Sequence, residues 1–377
     1  MEKKIKIAVI GNGGRAQYVV NRLIIDSKKG VEIISVYDPD EQESERSLRM
    51  WKSENAKICS SFRDAIDMPG VEWVMVFSPN AYHKEHILYS FSAGKHVFAE
   101  KPLATKINDC SEIYTAHKNS GKFFATGFVL RYAPLYRKAK EILDSGKIGK
   151  IISIDANENI KPAHGGYIMM NWRRFTSEAG PHILEKCCHD LDLINWFCES
   201  IPTRVASFGG LNFFIPENEK LTKRNGRNIF KEWRDPHGAD SPFMSEKDIM
   251  DNQVGILEYR NGIRVMFQAT MSNAIPERRM YFSCTEGTMR LELYSGILEY
   301  KILGENELRK VELAGGGHGG GDSYIMQELF KTMTEGVSPR CSGEEGLKSA
   351  VTSLALDLAA KEGRIVDLES IWQSLNH

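Results

Sequence analysis

Long apolar runs are missing from this chain of 377 residues. Its longest, such as VMVFSP at 74–79, are strand-sized and far short of a membrane span. The opening MEKKIKIAVIG passes from charged residues straight into a strand pattern, without the apolar core of a signal peptide. An excess of one charge is missing too. Lys and Arg number 49 against 50 Asp and Glu, a formal net charge of -1 that offers no field to nucleic acid or an anionic membrane. Cysteine is sparse and unpatterned: seven residues, an odd count with no C-x-x-C pair, argue against a disulfide framework. Internal repeats and low-complexity tracts are also lacking. What remains is a reduced, cytoplasmic globular protein, long enough that two domains are expected rather than one.

The first third alternates strand and helix patterns. KIAVIGNGGRAQYVVNRLI is a buried-strand run, a glycine turn and a helix; VEIISVYDPD (31–40) is a second strand ending in acid. A polar helix (41–54), the strand AKICS, a helical turn, the strand VEWVMVFSP, a helix at 82–93, the strand KHVFAE and a last strand in GKFFATGFV (121–129) follow. Such alternation implies a doubly wound parallel sheet whose ligand lies at the strands' carboxyl ends. After a helix at about 134–145 the runs lengthen: KIISIDANENI, RVASFGGLNFF, VGILEYRNGIRVMFQATM and RMYFSCTEGTMRLELYSGILEYKI, with YRNG and CTEGT placed as hairpin turns. These predict a large open, mostly antiparallel sheet, covered on one face by helices at 182–197 and about 344–362. Residues 216–242, polar and dotted with Gly and Pro, read as an exposed insertion.

GNGGRA supplies Gly11, Gly13 and Ala16 in the G-x-G-x-x-A spacing between a strand and a helix. Gly11 permits the tight turn, Gly13 lets backbone N–H groups approach a pyrophosphate, and Ala16 lets helix pack closely on strand. Asp38 ends the next strand, where a carboxylate accepts from ribose hydroxyls and repels a 2′-phosphate, favouring NAD over NADP. The bland alternative for Asp38 is a turn-forming residue before Pro39.

AEKPLA places Glu100, Lys101 and Pro102 directly after a parallel strand. A partly desolvated lysine there could take a proton from a substrate hydroxyl, although Lys-Pro alone is often an ordinary turn. HILEKCCHDLD (182–192) is denser still. At 100° per residue Glu185 and His189 share a helix face, with Asp192 and His182 on the same side. A zinc reading would use Glu185, Cys188, His189 and Asp192, but that set lacks a familiar ligand spacing and no second Cys/His cluster completes it. A buried histidine neutralised by carboxylates is a second reading, and a proton relay near neutral pH the third and preferred one. No metal is expected, and the cysteines are read as small core residues.

Together these segments resemble the Gfo/Idh/MocA oxidoreductase family, typified by glucose–fructose oxidoreductase and inositol 2-dehydrogenase. The likeness runs through GNGGRA, SPNAYHKEH, AGKHVFAEKPLA, LRYAPLYRKAKEILDSGKIGKI, NWRR, ILEKCCHDLDLINW and GHGGGD. It implies an N-terminal Rossmann domain (1–127) and a C-terminal α/β domain for substrate and oligomerisation (128–377), the helix at 344–362 being a candidate to pack back on the first. It also implies a homodimer or homotetramer and a sugar-like substrate. By position, Lys101 matches the family's E-K-P lysine and His189 its histidine, with Glu185 where many members carry aspartate. Arg15, Ser78, Asn80, His83 and Glu100 fall in segments that border the cofactor. Trp172, Arg173 and His318 are candidates for the pocket lining, against plain readings as a core tryptophan, a surface ion-pair partner and a glycine-loop histidine. Two departures, AGPH for the usual glycine pair and Glu185 for aspartate, prevent transfer of a substrate.

The expected activity is a dehydrogenase moving hydride between a nicotinamide and a carbinol carbon of a sugar, cyclitol or related polyol. Lys101 and His189 would handle the hydroxyl proton, with Glu185 orienting the histidine. A glycosidase using transient NAD-dependent oxidation and elimination would employ the same residues. A cofactor-sensing regulator could have discarded the lysine and histidine, and this chain keeps both.

Overall fold

The computed structural model describes residues 4–233, 238–313 and 318–375. They divide into two compact units, one formed by residues 1–132 with 320–350, the other by 133–319 with 351–377. The first thus extends past 127 and takes in a segment from late in the chain.

Six parallel strands build the first unit: β1 (Ile5–Ile10), β2 (Val31–Tyr37), β3 (Lys57–Ile58), β4 (Trp73–Val76), β5 (His96–Ala99) and β6 (Phe124–Thr126). Their order is β3-β2-β1-β4-β5-β6. Residues 7–10 and 73–76 are buried along their whole length, as central strands covered on both faces require. The order reverses between β1 and β4, so the loops leaving those two strands diverge and open a crevice at their carboxyl ends. The helix Gly321–Glu335, which has no counterpart in the sequence reading, belongs to this unit. Just after it, the carbonyls of Cys341 and Ser342 accept from the Thr126 backbone N–H (2.9 Å) and hydroxyl (3.0 Å). That covers the free edge of β6.

The second unit holds nine strands: β7 (Ile151–Asn159), β8 (Pro202–Gly210), β9 (Asn252–Tyr259), β10 (Arg264–Thr270), β11 (Arg279–Cys284), β12 (Gly287–Glu292), β13 (Ile297–Ile302), β14 (Arg309–Glu312) and β15 (Val366–Asp367). In the order β14-β13-β12-β11-β7-β10-β9-β8-β15 every neighbouring pair is antiparallel except β7 and β10. YRNG and CTEGT join β9 to β10 and β11 to β12, as their turn chemistry predicts. One face is covered. Tyr259 donates to Asn195 of the helix Cys188–Cys198 (2.7 Å), and Gly255 approaches Leu356 so closely that a Cβ there would lie 2.6 Å from its methyl. On the opposite face Phe208, Val254, Ile256, Met266 and Tyr281 stay exposed in adjacent register.

Two expectations need correction. The helix at 182–197 is in fact two, His182–Glu185 and Cys188–Cys198. Cys187, at φ -85° and ψ 0°, starts the second afresh by accepting from Asp190 and Leu191. The insertion 216–242 is not simply exposed either. Its Phe230 is 4% exposed and packs beside Phe214 and Phe243, in a cluster with Ile168, Met169 and Met271. Apolar anchors inside a polar segment override its average composition. Residues 234–237 of the insertion lie outside the described residues.

Candidate active site

In the first unit the predicted residues gather at the carboxyl ends of β1, β2, β4 and β5. Gly11 follows β1 at φ +83°, and a Cβ there would lie 2.5 Å from the Ser78 backbone nitrogen, so the turn demands glycine. Gly13 caps the helix Gly14–Asp26, and a Cβ on either Gly13 or Gly14 would meet nothing within 4 Å. Ala16 is fully buried. Asp38 accepts from the backbone N–H of Asn12 (2.6 Å) and of Asp40 (2.9 Å), which ties the end of β2 to the glycine turn. Burial raises its pKa above the usual aspartate range, against those two hydrogen bonds.

Arg15 donates through Nε to Glu100 (2.7 Å) and through Nη1 to Asp322 (2.8 Å), linking the glycine turn to the residue before Lys101. Burial alone would weaken its hold on the proton; the two carboxylates more than offset it, and the guanidinium stays charged. Glu100 also accepts from the Lys101 backbone N–H (3.2 Å). Its carboxylate lies against Gly127, where a Cβ would come within 2.6 Å. Lys101, half-buried, therefore leaves β5 from a backbone fixed on both sides. The buried His83 ring stands between two loops, Nδ1 2.8 Å from the Pro102 carbonyl and Nε2 2.9 Å from that of Ser78. Its neutral form can donate to only one. The Ser78 hydroxyl meets His86 Nδ1 at 2.9 Å, and Asn80 is buried alongside.

In the second unit Glu185, 6% exposed, accepts from Arg173 Nε at 2.9 Å. Arg173 Nη1 donates to Asn171 Oδ1 (2.9 Å) and to the Tyr167 hydroxyl (3.1 Å), and the guanidinium lies 4.2 Å from the centre of the Trp172 ring. The structure thus joins Trp172, Arg173 and Glu185 into one assembly. His189 is 3% exposed, with the His318 ring centre 6.0 Å away. Cys187 and Cys188 are fully buried core residues, as expected. Among the described residues no group of three or more His, Cys, Asp or Glu is placed to hold a metal.

Beside His189 lies a charge cluster that the sequence reading missed. Arg278 (2% exposed) grips Asp190 with Nε and Nη2 at 2.8 and 2.7 Å, and its Nη1 is 3.1 Å from Glu158. Asp190 and Glu158 are fully buried. Burial raises the pKa of Asp190, with Arg278 pulling the other way. Tyr167, Asn171 and Asp322 were missed as well. Asn171 and Asp322 left a trace in the sequence, as the first residue of NWRR and the acid closing GHGGGD.

A six-stranded 3-2-1-4-5-6 sheet with a glycine cradle at its switch point defines a dinucleotide-binding oxidoreductase fold. The chain belongs to the Gfo/Idh/MocA oxidoreductase family. Residues 5–128 match the model of its NAD-binding Rossmann fold, and residues 140–368 that of its C-terminal α/β domain. It is 32% identical over 263 residues to inositol 2-dehydrogenase of Gluconacetobacter diazotrophicus, covering 69% of this chain and 65% of that one. To 1,5-anhydro-D-fructose reductase of Ensifer adhaerens it is 24% identical over 327 residues, covering 83% and 85%. Its fold resembles that of levoglucosan dehydrogenase in complex with NADH and levoglucosan, with a TM-score of 0.81 at 19% identity over 97% of this chain and 100% of the other. The cradle fits the cofactor. Open space lies over Gly13 and Gly14 at the positive end of a 13-residue helix, and Asp38 stands at the end of β2.

Proposed function

We propose that this protein is an NAD-dependent dehydrogenase acting on a carbinol carbon of a sugar, cyclitol or related polyol, in the cytoplasm and as a homodimer or homotetramer. One observation carries the reading: Lys101 directly follows β5, its backbone pinned through Glu100 to Arg15 of the dinucleotide turn. NAD, when bound, supplies the hydride acceptor. Gly11, Gly13 and the first turn of the helix Gly14–Asp26 would hold its pyrophosphate. Asp38 would take the ribose hydroxyls and disfavour NADP, and Ser78, Asn80 and His83 line the same crevice. Lys101 and His189 exchange the hydroxyl proton, so that no free alkoxide has to form. Glu185 orients the imidazole, and Arg173 keeps that carboxylate fixed. Trp172 and His318 complete the lining. Assembly with a second copy is supported by the exposed row Phe208, Val254, Ile256, Met266 and Tyr281.

Lys101→Ala is the test. Turnover of a sugar and cyclitol panel, read as NADH absorbance, should drop by ~10²–10⁴-fold, the usual worth of a general base. NAD affinity by calorimetry should stay within a few-fold. Near-wild-type turnover removes Lys101 from the mechanism. Aglycone release without net NADH would instead mark transient oxidation followed by elimination.

A further inference from the structure

A second cavity lies within the strand-rich unit, between the helix Pro162–Met170 and the insertion. Its volume is about 380 Å³, within the size range of small-molecule pockets. It is held in shape from both ends. Gly166 lets the helix touch the insertion so closely that a Cβ would lie 2.0 Å from the Phe230 carbonyl. At the helix end, Met170 accepts from the Ala239 backbone N–H (2.9 Å) and Met169 from the Ser245 hydroxyl (2.6 Å).

The lining has a particular chemistry. Trp233 is 49% exposed, yet its ring is braced edge-to-face by Tyr167 and His164, each 4.9 Å away. His164 is itself fixed by Glu232 at 2.9 Å. A braced aromatic ring with much of its surface open is a platform for the C–H face of a ring-shaped ligand. Around it stand hydroxyl, amide and carboxylate groups suited to an edge of hydroxyls. Glu219 is positioned by Ser241 (2.6 Å), and Asn228 and Thr222 line the wall. Glu219 and Asp240 outweigh Lys231, so the described lining offers no positive field for a phosphate or a uronate.

Tyr167 belongs to this cavity and to the candidate active site alike. Its ring forms the cavity wall, and its hydroxyl accepts from Arg173, which holds Glu185. We propose that this cavity is a subsite for a second, neutral saccharide ring, so that the substrate is a disaccharide or glycoside rather than a free monosaccharide. The inference rests on the polyol dehydrogenase reading and narrows its substrate class.

Binding and turnover are measured separately, so that the two readings can fail separately. Saturation-transfer NMR with cellobiose, maltose and glucose, on the full chain with NAD, reads the subsite without requiring chemistry. At least one disaccharide should bind at least tenfold more tightly than glucose. Trp233→Ala should abolish that preference, and Trp233→Phe, which keeps a ring, should retain most of it. For any sugar that is oxidised, the disaccharide-to-monosaccharide ratio of kcat/KM should collapse in Trp233→Ala. A preference unchanged in Trp233→Ala overturns the subsite, as does equal binding of all three sugars to the wild-type protein. Absence of NADH formation from every member of the sugar and cyclitol panel overturns the dehydrogenase reading and leaves the binding result to decide the subsite.

Discussion

The two units solve different problems of charge. In the parallel-sheet unit the dinucleotide cradle is mostly backbone, and its recognition groups are N–H vectors aimed by a turn that only glycine can make. In the strand-rich unit the candidate site is made of side chains whose charges must be neutralised where water is scarce. Arg173 answers Glu185, and Arg278 answers Asp190 and Glu158. Backbone cradles fail when an atom is added; buried ion clusters fail when one is removed.

Arg278→Leu gives the sharpest form of this contrast. It leaves two buried carboxylates without their main counter-charge, which costs about 3–5 kcal/mol. The chemical-denaturation midpoint of the strand-rich unit should drop accordingly. Triple replacement of Asp190, Glu158 and Arg278 by apolar residues should recover much of that loss, and its failure to do so would show that the cluster has a task beyond self-neutralisation.

Gly11→Val tests the other side. Its Cβ would meet the backbone at Ser78 in a left-handed conformation, strained by about 1–3 kcal/mol even before the clash. NAD affinity by calorimetry should weaken at least tenfold, more than any loss of secondary structure by circular dichroism accounts for. Retained affinity would mean that the cradle is not where the pyrophosphate lies.

The smallest effect compares the units directly. Burial depresses His86 in the first and His182 in the second to about 4. Between about 6.5 and 4 the unfolded chain binds protons at these rings that the folded chain refuses, so stability falls as pH falls through that window. Each ring contributes on the order of 1–3 kcal/mol of this loss. His86→Gln and His182→Gln should each flatten the curve of unfolding free energy against pH. An unchanged slope in either variant would mean that its ring is protonated in the folded protein.

Much of this architecture was legible in the sequence because it is local. The six strands with their glycine turn, and the hairpins at YRNG and CTEGT, all follow from spacing within about a dozen residues. What escaped was long-range. The bond from Arg15 to Asp322 spans 307 positions and the grip of Arg278 on Asp190 spans 88, and no periodicity records either. The helix Pro162–Met170 hid behind Gly165 and Gly166, poor helix formers retained because Met271 and Phe230 press against them. The face shared by Glu185 and His189 was read from one unbroken helix, whereas Lys186 and Cys187 interrupt it.

Arg15 finds its second counter-ion, and β6 its edge partner, only in residues 320–350. During synthesis the glycine turn emerges long before the segment that completes its unit. That unit therefore stays incomplete while residues 133–319 of the strand-rich unit are made, and a fragment ending at residue 132 should be a poor stand-in for it.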